Sequence, residues 1–233
     1  MNKNHKEILK RNLLFFFENI VVDKLKKFST QKEFGYHGLE HTELVALRAI
    51  DIAVDGGLSR FEDVVPVVLA AALHDSARKD DGYNENHGPD AAKRPESISF
   101  LKDYVFNLND KQIGDILSAV KVHTVAMPQM FGFQNYITKI LCDADRCRLS
   151  WDSGYNDKFF FTSTGKKIAK MKPDEVVLYL KRWKARAEEN KIPTVGRPLD
   201  MRYVKDPLSR WVYFTEPLDV TINDVLKDIQ KQR

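Results

Sequence analysis

Apolar residues recur along most of the chain at the three-and-four spacing of α-helices, separated by polar stretches that carry glycine or proline. Near the start, Ile8, Leu13, Phe16, Phe17, Ile20, Val21 and Leu25 predict one amphipathic helix. A loop carrying Phe34-Gly35-Tyr36-His37-Gly38 then leads into a second helix over residues 39–54. Gly56-Gly57 should end it, because glycine accepts the left-handed geometry of a helix C-terminus. The third helix, VVPVVLAAALHD, runs to about Ser76 and has almost no polar face, which predicts a buried position at the centre of the core. The polar run RKDDGYNENHGPD that follows is expected to be a surface loop. Helices are predicted next over residues 97–106, 110–123 and 135–149.

Beyond Trp151 the pattern changes. A lysine-rich helix, PDEVVLYLKRWKARAEEN, has Pro173 suitably placed at its start. The broken segment KIPTVGRPLDMRYVKDP, the aromatic RWVYF and a last short helix follow. There is no internal repeat, low-complexity tract or clear linker. The expected fold class is therefore all-α: a helical domain over residues 1–150, and an extension over 151–233 of helices and short irregular or strand segments packed on the same body.

Composition narrows the class of function. Hydrophobic residues make up 43% and charged residues 30% of the 233, as in an ordinary globular protein. A formal charge of +4 suits an anionic small substrate, and a nucleic-acid partner is not expected. Cys142 and Cys147 are too few for a disulfide framework and lack redox or zinc spacing, so a reducing, cytoplasmic setting is expected. The basic, apolar N-terminus is interrupted by Glu18-Asn19 and lacks a small-residue cleavage site, so it does not read as a signal peptide. No stretch approaches the roughly 20 apolar residues that span a bilayer, and no membrane partner is expected.

The candidate chemistry lies in histidines and aspartates. The most apolar helix of the chain ends abruptly in His74-Asp75. A buried, unpaired carboxylate is costly, and a cation can pair it. Imidazole and carboxylate together form a nitrogen and oxygen donor set suited to Mn, Fe, Ni, Co, Mg or Zn. A helix end with local hydrogen bonds is the better explanation of such a dipeptide when it stands alone. Here it has company: His41 opens the second helix, His87 lies in the following loop, His123 ends a later helix, and Asp143 and Asp145 lie on another. Residues two apart on a helix face different ways, so one of the two aspartates should ligate.

In order, His41, His74-Asp75, His87, His123 and Asp145 resemble the H…HD…H…H…D signature of the HD superfamily of metal-dependent phosphohydrolases. LHDSAR is similar to that family's LHDxxK/R, NHGPDAA to its H-G-x-x-A/S-A element, and CDADRCRL to its closing ADxL-type helix. The resemblance covers about residues 36–151. It implies an HD-domain helical bundle with metal ligands His41, His74, Asp75 and Asp145. Asp145 takes the last place because Ala144 precedes it and Arg146 follows. Asp143 is then expected to orient a ligand histidine or to lie on the helix surface. Catalytic roles are implied for Asp75, Arg78, His87 and His123. His87 and His123 would hold a second ion bridged by Asp75, or contact the substrate phosphate, and Arg78 would hold a phosphoryl oxygen. The sequence leaves His37 open, as a phosphate contact, a support for the site or a surface residue, and places His5 at the surface.

The implied reaction is hydrolysis of a phosphomonoester or phosphodiester, nucleotide-like or another small phosphorylated substrate, by metal-activated water. Two alternatives stand beside it: an HD-type di-iron oxygenase using the same six positions, and a non-catalytic metal-binding or sensing helical protein. The basic and aromatic C-terminal region suits a lid over the site or the surface of a homodimer.

Overall fold

The first apolar stripe forms α1 (Lys3–Phe16), which widens into a π turn over Phe17–Val21 and closes with the short α2 (Val22–Leu25). In the computed structural model, which describes residues 1–29, 37–79, 84–124 and 135–190, every described element is helical. Leu9, Leu13, Phe16, Phe17, Val21 and Leu25 are buried. Ile8, expected on that stripe, is 43% exposed, because it precedes buried Leu9 by one position and so points about 100° away.

Helices α3 (Leu39–Asp55) and α4 (Phe61–Leu73) form the centre. From Val64 to Leu73 every residue of α4 is buried, and α4 packs against α1, α3, α7 (Asp110–Val122) and α8 (Tyr136–Ser153). The all-round apolar pattern thus has its expected consequence. The helix closes three residues before the predicted end, with His74 at its C-cap and a turn carrying Asp75 to Ala77.

Two expectations need correction. The run RKDDGYNENHGPD is not loop to its end: α5 (His87–Lys93) begins inside it. Only Gly88, Ala91 and Ala92 accompany His87 in turning inward, so the inward face is too short and too small to stand out as a period. Tertiary packing against α7 supplies the stability that a two-turn helix lacks by itself. The single helix expected over residues 97–106 is divided. It starts earlier, as α6 (Pro95–Leu101), and a separate 3₁₀ turn covers Tyr104–Phe106. Asp103 makes the break by accepting a hydrogen bond from the Val105 N–H at 3.0 Å.

Helix α7 begins with a reciprocal capping box between Asn109 and Gln112, and Asn135 caps α8 through the Ile137 N–H. After α8 come α9 (Ser163–Ala169) and α10 (Pro173–Asn190). Helix α9 packs on α3 and α8, and α10 packs on α1. The remaining C-terminal expectations, including RWVYF and the last helix, fall outside the described residues. Among the described residues no helix is long and apolar enough to cross a membrane.

A buried polar knot ties α10 down. Trp183, fully buried, donates from Nε1 to Asp51 Oδ2 on α3 at 2.7 Å, and Lys10 of α1 meets Asp51 Oδ1 at 2.6 Å. Arg186 stacks over the Trp183 ring and pairs with Glu7. Replacing Asp51 with Ala strands the indole N–H and leaves the buried Lys10 ammonium with Asp55 alone. The expected result is a loss of about 3 kcal/mol in unfolding free energy, the usual scale for breaking a buried ion pair, read from urea denaturation.

Candidate metal centre

Four helix ends and the middle of α8 converge on Asp75. His41 sits in the first turn of α3, His74 caps α4, His87 opens α5 and His123 caps α7. Asp145 comes from the interior of α8. His74 and Asp75 are essentially inaccessible to solvent, and His41, His87 and His123 are also buried. Solvent reaches the group through His37 and Asp145, whose side chains are 30% and 26% exposed.

The two carboxylate oxygens of Asp75 face different partners. Oδ2 lies 3.0 Å from His37 Nδ1, 3.3 Å from His74 Nε2 and 3.8 Å from His41 Nε2. Oδ1 lies 3.1 Å from His87 Nε2, 3.9 Å from His123 Nε2 and 3.1 Å from Arg78 Nε. Asp145 Oδ1 completes the first side, 3.0 Å from His41 Nε2 and 3.9 Å from His74 Nε2. Three sets of donors lie within 4.8 Å of one another and can hold a metal ion: His37, His41 and Asp75; His41, His74 and Asp145; His74, Asp75 and His123. Donors at right angles around an ion, each about 2.1 Å away, stand about 3.0 Å apart. The measured separations fall at and just above that spacing.

Hydrogen bonding within the helices prepares these nitrogens as ligands. His74 Nδ1 bonds the Ala71 carbonyl at 2.7 Å, His123 Nδ1 the Val120 carbonyl at 2.6 Å, and His87 Nδ1 the Asn84 carbonyl. A carbonyl only accepts, so each Nδ1 carries a proton and each Nε2 is the ring atom turned inward. The Nε2 atoms of His87 and His123 then stand 3.1 Å apart, with His87 Nε2 also 3.1 Å from Asp75 Oδ1. Ring nitrogens at that distance can share a proton or a metal ion. His74 Nε2 is buried and faces Asp75 Oδ2 at 3.3 Å and Asp145 Oδ1 at 3.9 Å, where it can carry a proton or, once that is lost, bind a metal ion.

Charge points the same way. Burial pushes Asp75 and Asp145 up, yet the surrounding imidazoles hold both well below the usual carboxylate range, so both are ionised. Burial pushes His74 down, but the Asp75 and Asp145 carboxylates outweigh it and raise the ring to about 9. Burial prevails at His41 and His123, which stay below the usual imidazole value. Two carboxylates thus face one imidazolium and the Arg78 guanidinium, and a divalent ion can take the place of the His74 proton between them.

Comparison with protein-family models, with curated proteins and with solved structures found no significant match. What the chain shows is an all-α protein with histidine and aspartate groups able to bind metal.

The structure brings together His41, His74, Asp75, His87, His123 and Asp145, and adds His37, which the sequence had left open. Arg78 is buried with its Nε on Asp75 Oδ1, so it acts on the aspartate directly. His5 is exposed on α1, away from the cluster. Asp143 corrects an expectation. It neither orients a histidine nor lies on the surface: it is fully buried and accepts from the Phe161 and Thr162 N–H groups and the Thr162 hydroxyl, each within 2.8 Å. Burial raises its carboxyl to about 6 despite these bonds. The sequence reading also missed Arg94, whose guanidinium bonds the carbonyls of Ser76, just past Asp75, and Phe28, each at 3.0 Å.

Gly88 sets the approach of α5 to α7. A Cβ there would stand 2.6 Å from the Val120 carbonyl oxygen and 3.0 Å from His123 Nδ1. Gly88→Ala must therefore push the two histidine-bearing helices apart. The expected outcome is a destabilisation of about 1–3 kcal/mol with reduced metal uptake, measured by urea denaturation and by metal analysis of the dialysed protein.

Proposed function

We propose that the chain is an HD-type metal-dependent phosphohydrolase acting on a small phosphomonoester or phosphodiester. The observation that carries this reading is the division of Asp75, with Oδ2 toward His37, His41 and His74 and Oδ1 toward His87 and His123. One carboxylate placed between two groups of imidazoles is suited to bridging two cations. This agrees with the H…HD…H…H…D order of the sequence, in which His41, His74, Asp75 and Asp145 form the first ligand set and His87 and His123 the second.

Bound there, divalent cations supply an acidified water as nucleophile and offset the charge developing on a phosphoryl group. The protein's own part is to hold the donors ready. The helix carbonyls of Ala71, Asn84 and Val120 fix the histidine tautomers, which removes the cost of reorienting the rings. Arg78 holds Asp75 Oδ1 and adds a fixed positive charge beside the site. The partly exposed His37 and Asp145 mark the side from which a substrate enters.

The test is a screen of the purified chain, loaded separately with Mn, Mg, Co, Ni, Fe or Zn, against p-nitrophenyl phosphate, bis-p-nitrophenyl phosphate and a panel of nucleotides. Metal-dependent ester cleavage is the expected result. Metal binding with no hydrolysis of any substrate would overturn it, and oxygen consumption by the iron-loaded form would favour the di-iron oxygenase instead.

A further inference from the structure

We infer that Arg146 is a positioning residue for His123, and that through it the segment around residues 159–162 supports one of the two donor sets at Asp75. The inference rests on the two-ion reading above.

Helix α7 ends at His123, and the last carbonyls of a helix have no partner within it. Arg146 provides one: its Nη2 donates to the His123 carbonyl at 3.1 Å. A guanidinium is also the charge that the negative end of the helix dipole favours. The other arm of the fork, Nη1, donates to the Phe159 carbonyl at 3.3 Å. The same helix grips the neighbouring backbone through Asp143, which receives the Phe161 and Thr162 N–H groups. Positions 143 and 146 are three apart on α8 and so share a face, while Asp145 between them turns to His41.

Holding this carbonyl matters because of how the His123 ring is fixed. Its Nδ1 bonds Val120 in the same last turn, so the imidazole moves as one piece with the end of α7. Its Nε2 must stay 3.1 Å from His87 Nε2 for the pair to share a cation. Gly88 sets that spacing from the α5 side, and Arg146 holds the opposite side. His41 and His74 depend on α3 and α4, and Asp145, which shares α8 with Arg146, turns to His41 from a different side of that helix. Loss of the fork should therefore weaken the His87, His123 and Asp75 Oδ1 set selectively.

The experiment is Co(II) titration of the metal-free full chain by calorimetry and visible absorbance, for wild type, Arg146→Ala, Arg146→Gln and Arg146→Lys. Circular dichroism and a thermal melt of each metal-free variant run alongside. Wild type should bind two ions. Arg146→Ala should bind one of them roughly 10–100-fold more weakly, the scale of losing a partner that orients a ligand, with the other little changed. Its absorbance spectrum should change only in the second half of the titration. Lys and Gln, which keep a single donor arm, should recover part of the loss, and they carry the test if the Ala variant fails to fold. Equal weakening of both ions, or of neither, overturns the role of Arg146 while leaving the two-ion reading intact. A wild-type chain that binds fewer than two ions overturns the reading and this inference together.

Discussion

Asp75→Asn is expected to fold and to lose divalent metal from both groups of histidines. The amide matches the carboxylate in size but offers one acceptor oxygen where Asp75 has two, and its other terminal atom is an NH₂ donor. Whichever way it turns, either the His41 and His74 side or the His87 and His123 side faces an N–H in place of a ligand oxygen. The side that keeps its oxygen still loses the negative charge. The fall in metal affinity should exceed the roughly 10–100-fold that follows loss of a mere supporting partner. Under the proposed function, phosphoester turnover falls by at least about 10³-fold, the upper end for removing a single charge-stabilising group. Metal analysis after dialysis and initial rates at saturating metal measure both effects. A variant that retains two ions per chain would remove Asp75 from the centre of the site. His5→Ala, on an exposed helical surface, serves as a control that should change neither quantity.

Much of this centre is legible in the sequence because its histidines stand where apolar periodicity starts or stops. His41 opens α3, His74 closes α4 and His123 closes α7, so the helices that are easiest to read also deliver three of the ligands. The all-α expectation likewise follows from periods long enough to be unambiguous, and every described element is helical. His87 was visible as a residue, but its helix was not, since the buried face of α5 consists of glycine and alanines. Asp143 and Asp145 show the limit from another side. Helix geometry requires that the two face apart, yet what Asp143 faces is a pair of backbone N–H groups at 161 and 162, and backbone groups leave no mark in sequence. Arg94 and Arg146 escape for the same reason: each reaches carbonyls distant in the chain, and no local pattern encodes such contacts. Arg78 has the charge expected for phosphate, but its short distance to Asp75 Oδ1 gives it a nearer partner.

The affinity of the metal-free protein for a divalent ion at the His74 side is expected to rise about tenfold per pH unit from near 6.5 to near 9, then to level off. In the metal-free chain His74 is raised from 6.5 to about 9. Burial opposes this charge and the Asp75 and Asp145 carboxylates more than restore it. A folded pKa above the unfolded one stabilises the metal-free fold fully below about 6.5, and that contribution disappears as pH rises through about 9. A metal ion needs the same Nε2 lone pair, so below about 9 its binding must expel one proton. His41 and His123 lie below the ordinary imidazole value and are already neutral in this window, while Asp75 and Asp145 are already ionised. None of them adds to the slope. The total gain over the window is therefore about 300-fold, corresponding to one proton. Calorimetry at pH 7 in buffers of differing ionisation enthalpy should count close to one proton released per ion bound at this side, and the thermal stability of the metal-free chain should decline over the same window. A pH-independent affinity, or release of two protons per ion, would contradict the charge state assigned to the cluster: two ionised carboxylates sharing a single proton on His74.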